Sequence, residues 1–587
     1  MMWLLLQREK EPVNVIWTKR TALLAAIVMG LGAAAQSYAQ TAPTDGATKA
    51  QPTKSVEEQI EELRQSMQKQ IDELKKQLAD RDAQIQAQKA PAPPPAVLTA
   101  PAEASSSSSA TQASVAAVAE QVKELKDEVE SPVAFHFKKV TLTPRGFVAA
   151  ESVWRQRAMD ADIMTPFNQT PYMNAGQAHV SEFNGTGRQS QVGLLVQGTV
   201  PFGKLTGYVE SDFFGSGVSS NNNQSNSYAP RLRQAWAQVN RGGFTFTGGQ
   251  MYSLVTESKK GLNPGNEAVP QVVDAEFHVG FSWTRQYALR AAQQLTPAVS
   301  VAASVEESQI LFSTAGTTAA NLPTNFFFGS AGVPVGGFNT TANYTDNLAP
   351  DVMVKAAYDP RFGHFELGGV ARFFRDRYYP NNVVPNAANN TAVGGGIVLN
   401  AHVPVTKYLD VSVHMLTGEG MGRYGTSLLP DATVKPSGTL EPLRADQGLL
   451  SLIAHPTPKL DVLAYAGGEY VQRTFYRNAA NGAVGYAPPD AFNGSCNTES
   501  ATTGGTGYNP GVGNANCTGA TRAILAGSAG WTYRLYNGSR GKLQYSVVYT
   551  YLTREAWAGI VSATNPAVVA PKATNNMVFT SFRYYLP

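Results

Sequence analysis

Hydrophobic and polar residues alternate with a period of two along most of the chain from Phe135 onward. The clearest run is residues 542–555, KLQYSVVYTYLTRE. Leu543, Tyr545, Val547, Tyr549 and Tyr551 fall on one face; Gln544, Ser546, Val548, Thr550 and Arg554 fall on the other. Successive side chains leave a strand on opposite sides, so the pattern predicts a β-strand, and one longer than soluble proteins usually need. Its apolar face is rich in tyrosine near the ends, a residue suited to a membrane–water boundary. The turn sequence 537–541 precedes it. Before that, Leu525, Gly527, Ala529, Trp531, Tyr533 and Leu535 mark a partner strand. The hairpin predicts one unit of a transmembrane barrel.

The unit recurs. Short turn sequences stand at 201–204, 241–243, 296–297, 359–363, 404–407, 455–458 and 537–541. Longer stretches rich in Asn, Gly, Thr and Pro alternate with them at 156–187, 215–229, 255–272, 313–349, 379–391, 418–443, 477–520 and 558–573. Seven turns and eight loops make fifteen connections, which predicts sixteen antiparallel strands. Short turns at one rim and long loops at the other form the bacterial outer-membrane pattern. The expected fold is an all-β transmembrane barrel of about 16 strands over 133–587, with an N-terminal α-helical coiled coil. Both barrel ends then lie on the short-turn, periplasmic side.

The coiled coil is expected because the period changes upstream. Lys19 and Arg20, an apolar core at 22–31 and Ser37-Tyr38-Ala39 predict a secretory signal peptide over 1–39, with 1–18 an unusual extension. A flexible segment follows at 40–54. Residues 55–89 are expected to form the coiled coil, capped by Ser55. Ile60, Leu63, Ile71, Leu74 and Leu78 lie on its seam, with a stutter before Ile71, and are expected to hold an oligomer together. A Pro/Ser-rich linker spans 90–110, and a second short helix is expected at 111–131. The N-terminal region is expected in the periplasm.

Composition narrows the function. The chain has 587 residues, a net charge of +3 and 16% charged residues, so a nucleic-acid partner is not indicated. After the leader no apolar run approaches the roughly 20 residues of a membrane helix. A mildly polar chain still enters a membrane when lipid-facing and water-facing residues alternate in a closed barrel. The seven histidines lack metal-ligand spacing, and no GxSxG elbow or nucleotide fingerprint is present. Neither enzyme activity, nor a metal, nor a cofactor is expected. A barrel-borne hydrolase with a Ser–His pair is the lesser alternative.

The charged residues on inward faces carry more. Glu210 and Asp212 share the face opposite Leu205, Val209 and Phe213, and Arg231 and Arg233 share a face on the next strand. The loop 215–229 joins these strands, so Asp212 and Arg231 are expected at similar height. Arg290, Arg372, Arg522, Arg534, Arg554 and Arg583 are further candidates for the inner wall. For any single pair, a bracing salt bridge is the economical reading. The repeated arginine on inward faces points the set toward an anion path, since its planar fork matches a carboxylate. Cys496 and Cys517 share one exported loop and are expected to form a disulfide, contributing about 3 kcal/mol on closing roughly 20 residues.

Three motifs then resemble a known family: Val209-Glu210-Ser211-Asp212-Phe213-Phe214-Gly215, Arg231-Leu232-Arg233-Gln234-Ala235-Trp236 and Gly249-Gln250-Met251-Tyr252-Ser253. With the signal peptide, coiled coil and sixteen strands, the chain resembles trimeric DcaP-like outer-membrane porins, over roughly 188–290 in sequence and beyond that in layout. Phosphate-selective porins are similar in layout. The ending Phe582-Arg583-Tyr584-Tyr585-Leu586-Pro587 departs from the usual terminal aromatic. The resemblance implies a homotrimer in the bacterial outer membrane, surrounded by its lipid and passing small anionic solutes, dicarboxylates among them. An envelope tether or adhesin anchored by its barrel is the structural alternative.

Overall fold

The computed structural model describes residues 134–215, 228–316, 322–328, 345–499 and 517–587. Sixteen strands form the wall. The first eight are β1 (Val140–Arg155), β2 (Glu182–Thr186 continued by Gln191–Val200), β3 (Gly203–Gly215), β4 (Ala229–Arg241), β5 (Phe244–Tyr252), β6 (Arg285–Thr296), β7 (Val299–Glu306) and β8 (Asp351–Tyr358). The rest are β9 (His364–Tyr378), β10 (Ala388–Thr406), β11 (Leu409–Glu419), β12 (Arg444–Thr457), β13 (Leu460–Val471), β14 (Thr521–Gly538), β15 (Gly541–Ala556) and β16 (Lys572–Tyr585). Each pairs antiparallel with its sequence neighbours, and β1 closes on β16 from Phe147↔Tyr585 to Arg155↔Met577. Closure removes the free edges that lipid cannot satisfy.

The connections alternate short and long as the turn sequences predict. Two turns lie later than expected. β10 runs through Pro404 to Thr406 and β12 through Pro456 to Thr457, each by a register shift. A bulge tolerates a proline that a regular ladder excludes. The lipid-facing set of the 542–555 strand is as read: Tyr549 is 44% exposed, whereas Val548 beside it is 1% exposed and faces inside.

The helical part of the expected fold class is corrected. Among the described residues there is no α-helix, only short 3-10 turns such as Gly176–His179 and Gly494–Asn497, and the class is all-β. The coiled coil expected at 55–89, its seam residues Ile60, Leu63, Ile71, Leu74 and Leu78, and the helix expected at 111–131 lie outside the described residues, as do 1–54 and 90–110.

The interior is where the sequence reading falls short. On β12 to β16 the inward side chains include Leu449, Leu463, Ile524, Val548, Leu552, Met577 and Phe579, which pack with Ile163, Phe167, Val279, Phe281 and Leu429 from long loops. An apolar core therefore fills that side of the lumen, since burying these faces removes them from water. The inward residues of β2 to β5 are mostly polar, among them Gln197, Thr206, Gln238 and Asn240, and leave open space beside them.

The disulfide Cys496–Cys517 is formed, with Cα atoms 4.7 Å apart, and packs against Tyr172, Ala556 and Ala573. It fastens the β13–β14 loop onto the top of this core. Non-reducing peptide mapping of the exported protein is expected to recover the two cysteines in one cross-linked fragment; two alkylatable thiols would contradict it.

Candidate functional site

The β5–β6 connection, 253–284, does not extend outward; it folds into the barrel. Its first part is tied to the β7–β9 wall: Leu254 N donates to Glu306 Oε1 (2.9 Å) and Lys355 Nζ donates to Thr256 O (2.8 Å). Its last part is tied to the β11–β13 wall. There Gly280 N donates to Glu469 Oε1 (2.9 Å) and Ser282 N to His414 Nε2 (3.0 Å). Glu469 also accepts from Thr426 Oγ1 (2.6 Å) and Ser427 N (3.0 Å), so one carboxylate holds two inward loops. Each of these donors would otherwise be a buried orphan.

The middle of the segment lies between two basins. The one toward the long-loop rim has a volume of about 910 Å³ and is lined by Asp160, Asp162, Glu182, Arg188 and Glu276. The one toward the short-turn rim has a volume of about 610 Å³ and is lined by Arg145, Lys204, Tyr208, Glu210, Arg233 and Asp274. Residues 274–277 touch both.

Facing this middle part is the charged bank of β3 and β4. A bulge in β4 pairs Glu210 with Gln234 and Ser211 with Leu232, which turns both Arg233 and Gln234 inward. Arg231 grips Asp212 with Nε to Oδ1 at 3.0 Å and Nη2 to Oδ2 at 2.7 Å. Arg233 donates to Glu210 Oε1 (2.5 Å), Asp212 Oδ2 (2.9 Å) and Tyr252 Oη (3.2 Å). Tyr208 Oη donates to Glu210 Oε2 at 2.6 Å. Two cations and two carboxylates thus balance in one hydrogen-bonded block. Phe214 lies under both Arg188 and Arg231, 4.8 and 5.2 Å from their guanidinium carbons.

The other arginines singled out from sequence do not join this block. Arg372 is fully buried and holds Asp351 (3.1 Å) and Asp431 (2.8 Å), so it braces a loop against the wall. Arg290 donates to the carbonyls of Tyr252 (2.6 Å) and Leu262 (3.3 Å), anchoring the folded-in segment. Arg534 pairs with Asp461 at the short-turn rim. Arg554 donates to Thr521 Oγ1 and Thr170 O, both at 3.0 Å. Arg583 pairs with Glu151 at 2.7 Å. Arg522 lies in a bulge of β14, exposed, 5.6 Å from the Trp557 ring. Partners supplied by loop carbonyls are invisible to strand periodicity.

Conversely, Arg145 and Lys204 line the inner basin, and their side chains make no hydrogen bond or ion pair among the described residues. Lys204 was legible, because it shares parity with Glu210 and Asp212 on β3. Arg188 and Arg285 reach the bank from loop-edge positions that periodicity does not address. Arg285 lies 5.0 Å from Trp283 and 5.5 Å from Tyr252.

In the middle of the folded-in segment, burial raises two carboxyls that face the charged bank, Asp274 and Glu276. Burial, then the neighbouring Asp274, pushes Glu276 up to about 8. Burial pushes Asp274 up to about 6, against hydrogen bonds from Thr165 and the backbone N–H of Glu276. A raised carboxyl is neutral below its pKa, so acidification from pH 9 to 5 removes negative charge opposite the arginines. Anion preference, read as reversal potential in a salt gradient, is expected to rise as pH falls through this window. Glu276→Gln should flatten the upper part of the curve; an unchanged curve would place Glu276 away from the ion path.

The Ser–His contacts among the described residues do not build a catalytic triad. His278 Nε2 meets Ser528 Oγ at 2.9 Å, but its other nitrogen faces the Val279 carbonyl. His402 Nδ1 meets Ser412 Oγ at 2.7 Å, with Asp410 3.9 Å from the remote nitrogen, beyond hydrogen-bond reach.

The closed sixteen-strand wall with an inward-folded segment is the outer-membrane porin fold. No protein-family model matches the chain, and no curated protein sequence matches it. Among solved structures it is similar to the outer membrane channel DcaP of Acinetobacter baumannii, with 13% identity and a TM-score of 0.52, covering 77% of this chain and 100% of that one. It is also similar to the anion-selective porin from Comamonas acidovorans, with 12% identity and a TM-score of 0.39 over 76% of this chain and all of that one. OmpT of Vibrio cholerae gives 10% identity and a TM-score of 0.38, over 77% and 99% of the two chains.

Proposed function

We propose that the protein is an outer-membrane diffusion channel for small hydrophilic solutes, with a moderate preference for anions and dicarboxylates among its cargo. The observation that carries this reading is the charged bank Glu210–Asp212–Arg231–Arg233 opposite the folded-in segment, between two water-accessible basins. A solute leaving the outer basin passes paired charges and then meets the unpartnered Arg145 and Lys204. In a confined, low-dielectric passage such cations raise the local concentration of anions. The mixed signs at the bank hold the preference to a moderate level. The homotrimer that the family resemblance implies belongs to the proposal, with the mass of the detergent-solubilised protein by light scattering as its check.

Planar-bilayer recording tests the channel itself. Steady unit conductance with a reversal potential on the anion side is expected at low salt. A sealed barrel would favour the tether or adhesin reading instead.

A further inference from the structure

On the outside of the barrel, one stretch of the long-loop rim is basic where the wall below it is apolar. Along β9, Phe374 and Asp376 are buried inside, so Phe373, Arg375 and Arg377 present the opposite, outer face. The register sets them beside Val393, Thr391 and Asn389 of β10. Below Arg375, β10 continues outward as Val393, Ile397 and Leu399, all exposed, which is a surface for acyl chains. On the other side of β9, Phe327 pairs with Arg377 and is also exposed.

Among the described residues, neither arginine forms an ion pair with a carboxylate. Arg377 donates to Asn389 Oδ1 (3.1 Å) and lies 5.7 Å from the Tyr379 ring. The Arg375 side chain has no hydrogen bond or ion pair among the described residues. The acid between them, Asp376, turns inward and accepts from Asn390 Nδ2 at 2.9 Å. Two adjacent guanidinium forks therefore stand at the upper edge of a lipid-facing wall, with an amide and a hydroxyl beside them.

We propose that Arg375 and Arg377 bind the phosphate groups of a phosphorylated glycolipid in the outer leaflet, its acyl chains lying on the wall of β9 and β10. The proposal rests on the outer-membrane orientation, long loops outward, that the porin fold supports. Charge complementarity and continuity with the lipid-facing wall select this occupant. A guanidinium matches a phosphate with two parallel hydrogen bonds, and an anionic headgroup layer attracts cations at that level. An inner-wall role is excluded for both by their parity.

Native mass spectrometry of the detergent-solubilised full chain, with bisphosphorylated lipid A as probe, tests it. Arg375→Gln with Arg377→Gln is expected to lower lipid A occupancy several-fold, and the lysine pair to restore part of it. Lipid A stripped of both phosphates is expected to bind the unaltered protein weakly, an arm that does not depend on any variant folding. Equal occupancy by the stripped lipid, or undiminished occupancy in a folded glutamine pair, would overturn the assignment. Bilayer conductance is expected to be the same in all variants, so failure of this site and failure of the channel reading are separable.

Discussion

Replacing Gly467 by valine is expected to raise the single-channel conductance several-fold. Gly467 faces inward on β13, and a β-carbon there would stand 1.9 Å from the carbonyl oxygen of Val279 in the folded-in segment. Across the contact, Gly280 has φ +90° and its own β-carbon would stand 2.0 Å from the carbonyl of Gly448. The segment therefore seats backbone against backbone, with no side chain free to give way. Overpacking of this kind costs about 1–3 kcal/mol when the neighbours stay in place. Here the cheaper response is for the segment to leave, because the rest of the wall is held by ladders on both sides. Departure breaks the bonds from Gly280 to Glu469 and from Ser282 to His414. It also joins the two basins beside β2 to β5. Conductance and the cutoff size of polyethylene glycol that enters the pore should both increase. Glu469→Ala approaches the same state from the other side, by removing the acceptor shared by two inward loops. Wild-type conductance in both folded variants would show that the segment does not limit the passage.

The strand count was legible because it depends on local chemistry alone. Turn residues at one rim and Asn/Gly-rich stretches at the other are written into the chain, and only the position of the proline-containing turns shifted. The pairing of Arg231 and Arg233 with Glu210 and Asp212 was legible for a similar reason, since one loop fixes the height of both strands. What periodicity does not encode is the filling of the lumen. Val548, Phe579 and Met577 stand on faces that a water-filled barrel would keep polar, and that parity violation was the available sign of an internal core. The fates of Arg290, Arg372 and Arg554 were not legible at all. Their partners are carbonyls and carboxylates on loops distant in sequence, whose path is set by the whole fold. The helical seam expected at 55–89 lies outside the described residues, and those of the barrel carry no α-helix.

Replacing Arg231 and Arg233 together by glutamine is expected to turn the channel toward cations. The block they form is balanced, so removing both leaves the carboxylates of Glu210 and Asp212 without their cations. Asp212 is fully buried, and stripping a buried carboxylate of its partners costs about 3–5 kcal/mol, which its bond from Phe214 N offsets only in part. The field that an ion meets beside residues 274–277 then changes sign, with Glu276 adding to it at alkaline pH. In a salt gradient near 0.01 M, where the Debye length is about 30 Å, the reversal potential should cross from the anion to the cation side. At 1 M the length falls to about 3 Å and the difference should nearly vanish. The quadruple variant Glu210→Gln, Asp212→Asn, Arg231→Gln and Arg233→Gln separates charge from shape. It removes both signs at once, so its selectivity should stay close to that of the unaltered protein, set by Arg145 and Lys204. Block by a dicarboxylate should weaken in the double variant more than in the quadruple one, because repulsion is added only there. If the folded double variant keeps the original reversal potential at low salt, the four residues brace the wall and ions pass elsewhere.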